Sequence, residues 1–260
     1  MFRAASAACQ TRATRRPRDR VVVTPLAGLA RGLWRGAADA LLAQSCALCG
    51  ADCGADPACA ACVADLPVMP PACPRCALPS AGAQACGACL RRPPAFDASH
   101  AAWHYDFPVD RLVGAFKYQA RLPLARLFAR GLACLPAVRQ GPPPDLLLPM
   151  PLHASRLASR GYNQAMELAR ELSRLTGWRV DPHLAARTRA TTAQTTLRFD
   201  ARAANVRGAF RCERRLDGMH VAVLDDVMTT GATLGELART LKAAGAASVS
   251  NWVIARAYAP

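Results

Sequence analysis

Apolar residues first recur at helical spacing in the segment 26–43, where Leu26, Leu29, Leu33, Ala37 and Leu41 share one face. That pattern reads as an amphipathic helix, a stripe suited to docking, with a membrane-surface reading left open. Between Cys46 and Cys89 the periodicity vanishes and Pro, Gly and Cys take over. Such a stretch has no apolar face with which to build a core and needs a staple. After a linker at 91–94, strand and helix patterns alternate. Residues 112–116 and 122–135 read as helices and 145–150 as a buried strand. Gln164–Thr176 carries Leu168, Leu172 and Leu175 on one face and meets Gly177 as its stop. Residues 221–224 read as a second buried strand, 233–244 as a helix closed by Gly245, and 249–255 as a third strand. Strand, helix and strand in this order predict a right-handed βαβ unit in a parallel sheet. The polar stretch 187–207 is too long for a simple connection and reads as a lid or binding loop.

The expected fold class is therefore α/β, a parallel-sheet domain at 96–260 behind a cysteine-rich module at 46–92. The helix occupies 26–45, and 1–25 reads as a disordered basic leader. That leader also has the Arg-rich, acid-poor look of a transit peptide. With 260 residues and 52% hydrophobic content the chain can bury a sizeable core. No run approaches the ~18 apolar residues of a spanning helix, so stable membrane insertion is not expected.

Charge changes the picture modestly. The 33 basic residues exceed the 18 acidic ones by 15, and only Lys117 and Lys242 are lysines. A basic chain attracts phosphate-bearing partners, whether nucleic acid, membrane or a small polyphosphate.

Cysteine changes it more. Eight of the 12 cysteines form four Cys-x-x-Cys pairs, and no clear secretory signal precedes them. In a chain expected to be cytoplasmic, paired cysteines read as metal ligands before disulfides. Cys46/Cys49 and Cys59/Cys62 are separated by nine residues, as are Cys73/Cys76 and Cys86/Cys89. The repeat predicts two four-thiolate Zn²⁺ sites in series, with a crossed pairing of the first and third pairs left open. Four thiolates leave no position for water, so the zinc is expected to be structural rather than catalytic. A ribbon that also contacts nucleic acid or protein stays open. Cys9, Cys53, Cys134 and Cys212 fall outside the pairs.

The most informative stretch runs from Val221 to Thr233. A buried strand leads into Asp225 and Asp226, then Val227, Met228, Thr229, Thr230, Gly231, Ala232 and Thr233 form a loop entering a helix. Loop amides at a helix N-terminus make an anion site, threonines add hydroxyls, and Gly231 allows close backbone approach. Carboxylates beside an anion cradle suit a ligand with both phosphate and hydroxyls, such as a ribose 5-phosphate. A second cluster, Pro149-Met-Pro-Leu-His153 followed by Arg156, Arg160, Gly161, Tyr162, Asn163 and Gln164, lies between a strand and a helix. Open sheets place ligand loops there, and its arginines suit a pyrophosphate. Lys117 reads equally as an anion or acceptor contact and as a surface lysine with a buried stem. No Ser-His-Asp or metalloprotease pattern is visible, and His153 is a weak candidate at most.

The Val221–Thr233 stretch resembles the 5-phosphoribosyl-1-pyrophosphate (PRPP) motif of type I phosphoribosyltransferases. With the cysteine ribbon, Phe116-Lys117-Tyr118, the Pro-x-Pro-Leu-x-x-x-Arg-x-x-x-Arg-Gly-Tyr-Asn-Gln run and the set Arg187, Thr191, Gln194, Leu197, Arg202, Asn205 and Phe210, the chain resembles the ComF competence-protein family. The resemblance implies a phosphoribosyltransferase domain behind a double zinc ribbon. It places Asp225 and Asp226 at the ribose as the catalytic pair and 229–233 at the 5-phosphate. Arg156 and Arg160 would lie near the pyrophosphate, with Arg187, Gln194, Arg202 and Asn205 on a mobile loop. It implies a Mg²⁺-dependent pentosyl transfer from PRPP to an unidentified acceptor, linked to DNA uptake in natural transformation. The competing expectation is a non-enzymatic protein that binds single-stranded DNA or a competence ATPase/helicase and keeps a nucleotide pocket.

Overall fold

The computed structural model describes residues 45–189 and 206–258. The leader, nearly all of the 26–45 helix, and Gln194, Arg202 and Asn205 lie outside the described residues. Two compact units make up the chain, 1–66 and 67–260. The division falls inside the cysteine-rich segment, between its two quartets.

The larger unit is built on a parallel sheet of β1 (Ala98–His104), β2 (Leu146–Pro149), β5 (His220–Met228) and β6 (Ser248–Arg256), in the order β1-β6-β5-β2. Both central strands are buried nearly throughout, as a sheet covered on both faces requires. β5, helix α8 (Ala232–Ala243) and β6 form the expected strand–helix–strand unit, with β5 and β6 as parallel neighbours. A small antiparallel ladder joins β3 (Ala185–Arg187) and β4 (Phe210–Cys212), so the polar stretch after Arg187 connects two paired strands.

Helices α3 (Val109–Tyr118), α4 (Leu124–Ala133) and α7 (Gln164–Thr176) follow the apolar periodicity. Their buried positions include Leu112, Phe116, Phe128, Leu132, Leu168 and Leu172. Local chemistry bounds α7 at both ends, and the sequence marks the stop at Gly177. Asn163 caps it by accepting from the amides of Ala165 and Met166, and Gly177 closes it in the left-handed region at φ 76°. On α4, a Cβ at Gly131 would lie 2.0 Å from the Trp103 ring. Only glycine lets this helix approach β1 so closely.

Three sequence expectations change. The strand at 221–224 runs on to Met228, because β6 keeps pairing with it from Asp225↔Val253 to Met228↔Arg256. The helix expected at 122–135 ends at Ala133 and a short one, α5 (Pro136–Gln140), follows. β1 was not foreseen: its sequence, Ala-Ser-His-Ala-Ala-Trp-His, has no β-branched residue, and parallel pairing with β6 creates it.

Among the described residues no helix is long and apolar enough to cross a membrane.

Candidate functional site

β2 pairs with β5 only as far as Pro149↔Leu224. Beyond that point one edge of β5 is open, and Asp225 and Asp226 follow immediately. Two side chains reach Asp226 there. Lys117 Nζ, from the end of α3, lies 2.8 Å from Asp226 Oδ1. Gln164 Nε2, at the start of α7, donates to Oδ2 at 2.8 Å. The amide of Val227 donates to Oδ1 at 2.6 Å. With 5% of its surface exposed, Asp226 is a buried carboxylate satisfied on both oxygens. Burial works against the Lys117 charge, but the carboxylates of Asp226 and then Asp225 outweigh it and raise its pKa.

Asp225 differs. It is only half-buried and lines a cavity of 240 Å³. Burial, then repulsion from Asp226, pushes its pKa up to about 7. The adjacent acids therefore form an asymmetric pair, one braced inside the protein and one facing the cavity.

The same cavity is lined by Lys117, Arg156, Arg160 and Arg187, and by Val227, Met228, Thr229, Gly231, Ala232 and Thr233. Gly231 has φ 76°, and a Cβ there would lie 2.7 Å from Met228 Cε. The left-handed φ calls for glycine at the turn into α8, whereas the Met228 methyl could swing aside. Thr230 uses its hydroxyl to accept from the Ala232 amide at 3.2 Å, shaping the loop from within. Arg160 donates to Gln164 Oε1 and lies over the Tyr118 ring at 5.4 Å. Arg187, brought in by β3, lies 5.5 Å from the Phe210 ring centroid and is 9% exposed.

Most of the described candidate residues thus share one cavity, whereas Thr230, Gly161, Tyr162, Asn163 and His153 stand outside its wall. Thr230 shapes the loop. Gly161 ends α6 (Ala154–Arg160) at φ 80°, and Asn163 caps α7 while donating to the Met150 carbonyl at 3.1 Å. Tyr162 donates to the Phe116 carbonyl. The Gly-Tyr-Asn-Gln run therefore ties α3, β2 and α7 together around the cavity. His153 caps α6 through its ring nitrogen, which accepts from the Ser155 amide at 3.3 Å. Sequence reasoning missed Tyr105, which lines the cavity from just beyond β1. No motif marks it, and only the placement of β1 beside β6 brings it there.

The cysteines gather as Cys46, Cys49, Cys59 and Cys62, and as Cys73, Cys76, Cys86 and Cys89, with the sulfurs of each quartet within 4.8 Å of one another. This is the sequential pairing, not the crossed one. The two sites repeat each other bond for bond. The Cys59 amide donates to Cys46 Sγ and the Cys86 amide to Cys73 Sγ, both at 3.3 Å. Cys49–Cys59 and Cys76–Cys86 sulfurs are 3.8 and 3.7 Å apart. A tetrahedron with Zn–S bonds of ~2.3 Å has an edge of ~3.8 Å, so the donor sets fit two structural zinc ions. Each first knuckle turns through a left-handed residue, Gly50 at φ 77° and Ala77 at φ 56°.

Metal analysis of the purified protein is expected to return two zinc ions per chain, falling to one when Cys86→Ser breaks the second quartet. Lys117→Met strands a buried carboxylate and should cost about 3–5 kcal/mol in urea unfolding. Adding Asp226→Asn should recover most of that loss, because the double variant leaves no uncompensated charge. Asp225 holds its proton more tightly folded than unfolded, so its contribution to stability falls as pH rises from about 4 to about 7 and is then flat. Asp225→Asn should accordingly exceed the wild type in stability above pH 7, with the difference closing toward pH 4. Unfolding of both proteins measured at each pH separates this from titration of the zinc thiolates.

Comparison with known proteins fits this arrangement. Residues 37–90 match the model of the double zinc ribbon domain. The chain is 36% identical over 189 residues to DNA utilization protein YhgH of Salmonella typhi, covering 71% of this chain and 83% of that protein. It is 36% identical over 185 residues to competence protein F of Haemophilus influenzae, covering 67% and 80% respectively. Leishmania donovani UMP synthase aligns at 22% identity over 55% of this chain and 24% of that one, with a TM-score of 0.32, too loose a likeness to bear on function. The identity to the Salmonella and Haemophilus proteins spans most of their length, and the chain belongs to their family, the ComF family of competence and DNA-utilization proteins.

Proposed function

We propose that the chain binds PRPP with Mg²⁺ and transfers its phosphoribosyl group to an acceptor, in the service of DNA uptake. One observation carries this reading: a single cavity holds four cationic side chains, two carboxylates and a threonine–glycine loop at the start of a helix. Excess positive charge suits a polyanion. Carboxylates inside that positive field suit a ligand that also presents hydroxyls. PRPP has both.

In this reading the loop amides and the hydroxyls of Thr229 and Thr233 hold the 5-phosphate. Asp225 accepts from a ribose hydroxyl, while Asp226 keeps β5, α3 and α7 aligned through Lys117 and Gln164. Arg156, Arg160 and Arg187 face the diphosphate. Mg²⁺ prefers oxygen ligands and is commonly held by one or two carboxylates together with substrate phosphates, and the half-buried Asp225 fits that role. Held there, the ion would supply positive charge to offset the negative charge of the diphosphate. The bond from the anomeric carbon to the diphosphate breaks and a bond to the acceptor forms. The ribose becomes oxocarbenium-like between the two, and Asp225 in its ionised form favours that state.

The +15 chain also supports contact with single-stranded DNA, and affinity measurements separate the readings. Saturating PRPP·Mg²⁺, at 100 times its Kd, should stabilise the two-zinc protein by about 2.7 kcal/mol, several degrees in Tm. The shift should vanish in Asp225→Asn. No shift in the wild type, with DNA binding that falls steeply with salt, would replace transfer by a nucleic-acid role.

A further inference from the structure

Arg256 ends β6 with only 3% of its surface exposed. Its guanidinium spans two parts of the larger unit. Nε donates to the Cys76 carbonyl at 2.8 Å. Nη1 donates to the Met228 carbonyl at 2.8 Å and to the Thr229 carbonyl, where β5 gives way to the threonine loop. The remaining hydrogen bond is to the carbonyl of its neighbour Ala257. One side chain therefore clamps the second cysteine knuckle to the first residue of the anion loop.

Two further features point the same way. Carbonyl oxygens alone are a poor environment for a buried cation, and Cys76, Cys89 and Cys86 lie close enough to act on it electrostatically. Four thiolates around one zinc ion would carry net negative charge, which would suit a guanidinium buried against the Cys76 carbonyl. The knuckle and the loop also share a floor. Cys73, Cys76 and Cys89 belong to the same apolar cluster as Phe96, Met228 and Leu234. Phe96 Cζ and Met228 Cε would lie 3.5 and 2.7 Å from a Cβ placed on Gly231.

We infer that the second zinc site holds the anion-binding loop in shape through Arg256, so that ligand capture at the loop depends on metal occupancy of Cys73, Cys76, Cys86 and Cys89. Arg256 is a positioning residue here, since it acts on the ligand through Met228 and Thr229. Loss of zinc would release the knuckle that presents the Cys76 carbonyl and so loosen the clamp. The functional consequence rests on the PRPP reading of the loop, whereas the coupling itself does not.

Amide hydrogen exchange of the full-length, two-zinc protein tests the coupling without any ligand. In Arg256→Met the amides of 229–233 should exchange at least about tenfold faster, with β2 and α7 unchanged and zinc still bound. Arg256→Lys, which keeps the charge but cannot bridge the same carbonyls, should fall between. Cys86→Ser should accelerate the same loop amides, and combining it with Arg256→Met should add little, because both break one linkage. Unchanged loop exchange in Arg256→Met, acceleration spread evenly over the core, or multiplicative effects in the double variant would each overturn the inference. PRPP·Mg²⁺ affinity measured on the same proteins should weaken in step with loop exchange. If the wild type fails to bind PRPP, the functional reading falls and the exchange data still decide the coupling.

Discussion

A carboxylate with 5% exposure is stable at Asp226 only because a lysine and an amide are brought to it. Lys117 comes from the end of α3 and Gln164 from the start of α7, so the acid on β5 ties the end of one helix to the start of the other. A buried pair of this kind contributes little net stability relative to an apolar substitute, but breaking one side is expensive. Its role is therefore specification. It sets the mouth of the cavity to one geometry, and the Tyr162 bond to Phe116 and the Asn163 bond to Met150 extend the same bracing.

The brace also separates the roles of the adjacent acids. Asp226 is consumed by internal bonds, which leaves Asp225 to face the cavity with its pKa pushed up to about 7. A half-buried acid beside another acid costs stability at neutral pH.

The cysteine quartets are built alike yet belong to different units. The second is part of the main apolar cluster, with Cys73 and Cys76 almost inaccessible. A small knuckle cannot bury enough surface to stand alone. Docking on Phe96 and accepting Arg256 at the Cys76 carbonyl give the second one a large core to lean on. Metal and cavity thus become parts of one construction, although Thr229 is 153 positions from Cys76 in the chain.

Local chemistry carried much of this in the open. Four Cys-x-x-Cys pairs with equal spacing, the stop at Gly177, and a strand leading to two acids and a threonine–glycine loop are all short-range patterns. Each is set by geometry within a few residues, so the amino-acid order alone determined them. The extension of β5 to Met228, the strand at Ala98–His104, the service of Asp226 to Lys117, and the burial of Arg256 between knuckle and loop had no local signal. Each depends on a partner distant in sequence: β6 for the strands, α3 and α7 for the acid, Cys76 for the arginine. A lysine and an aspartate can each satisfy themselves in water, and only the packing that excludes water from both makes them need one another.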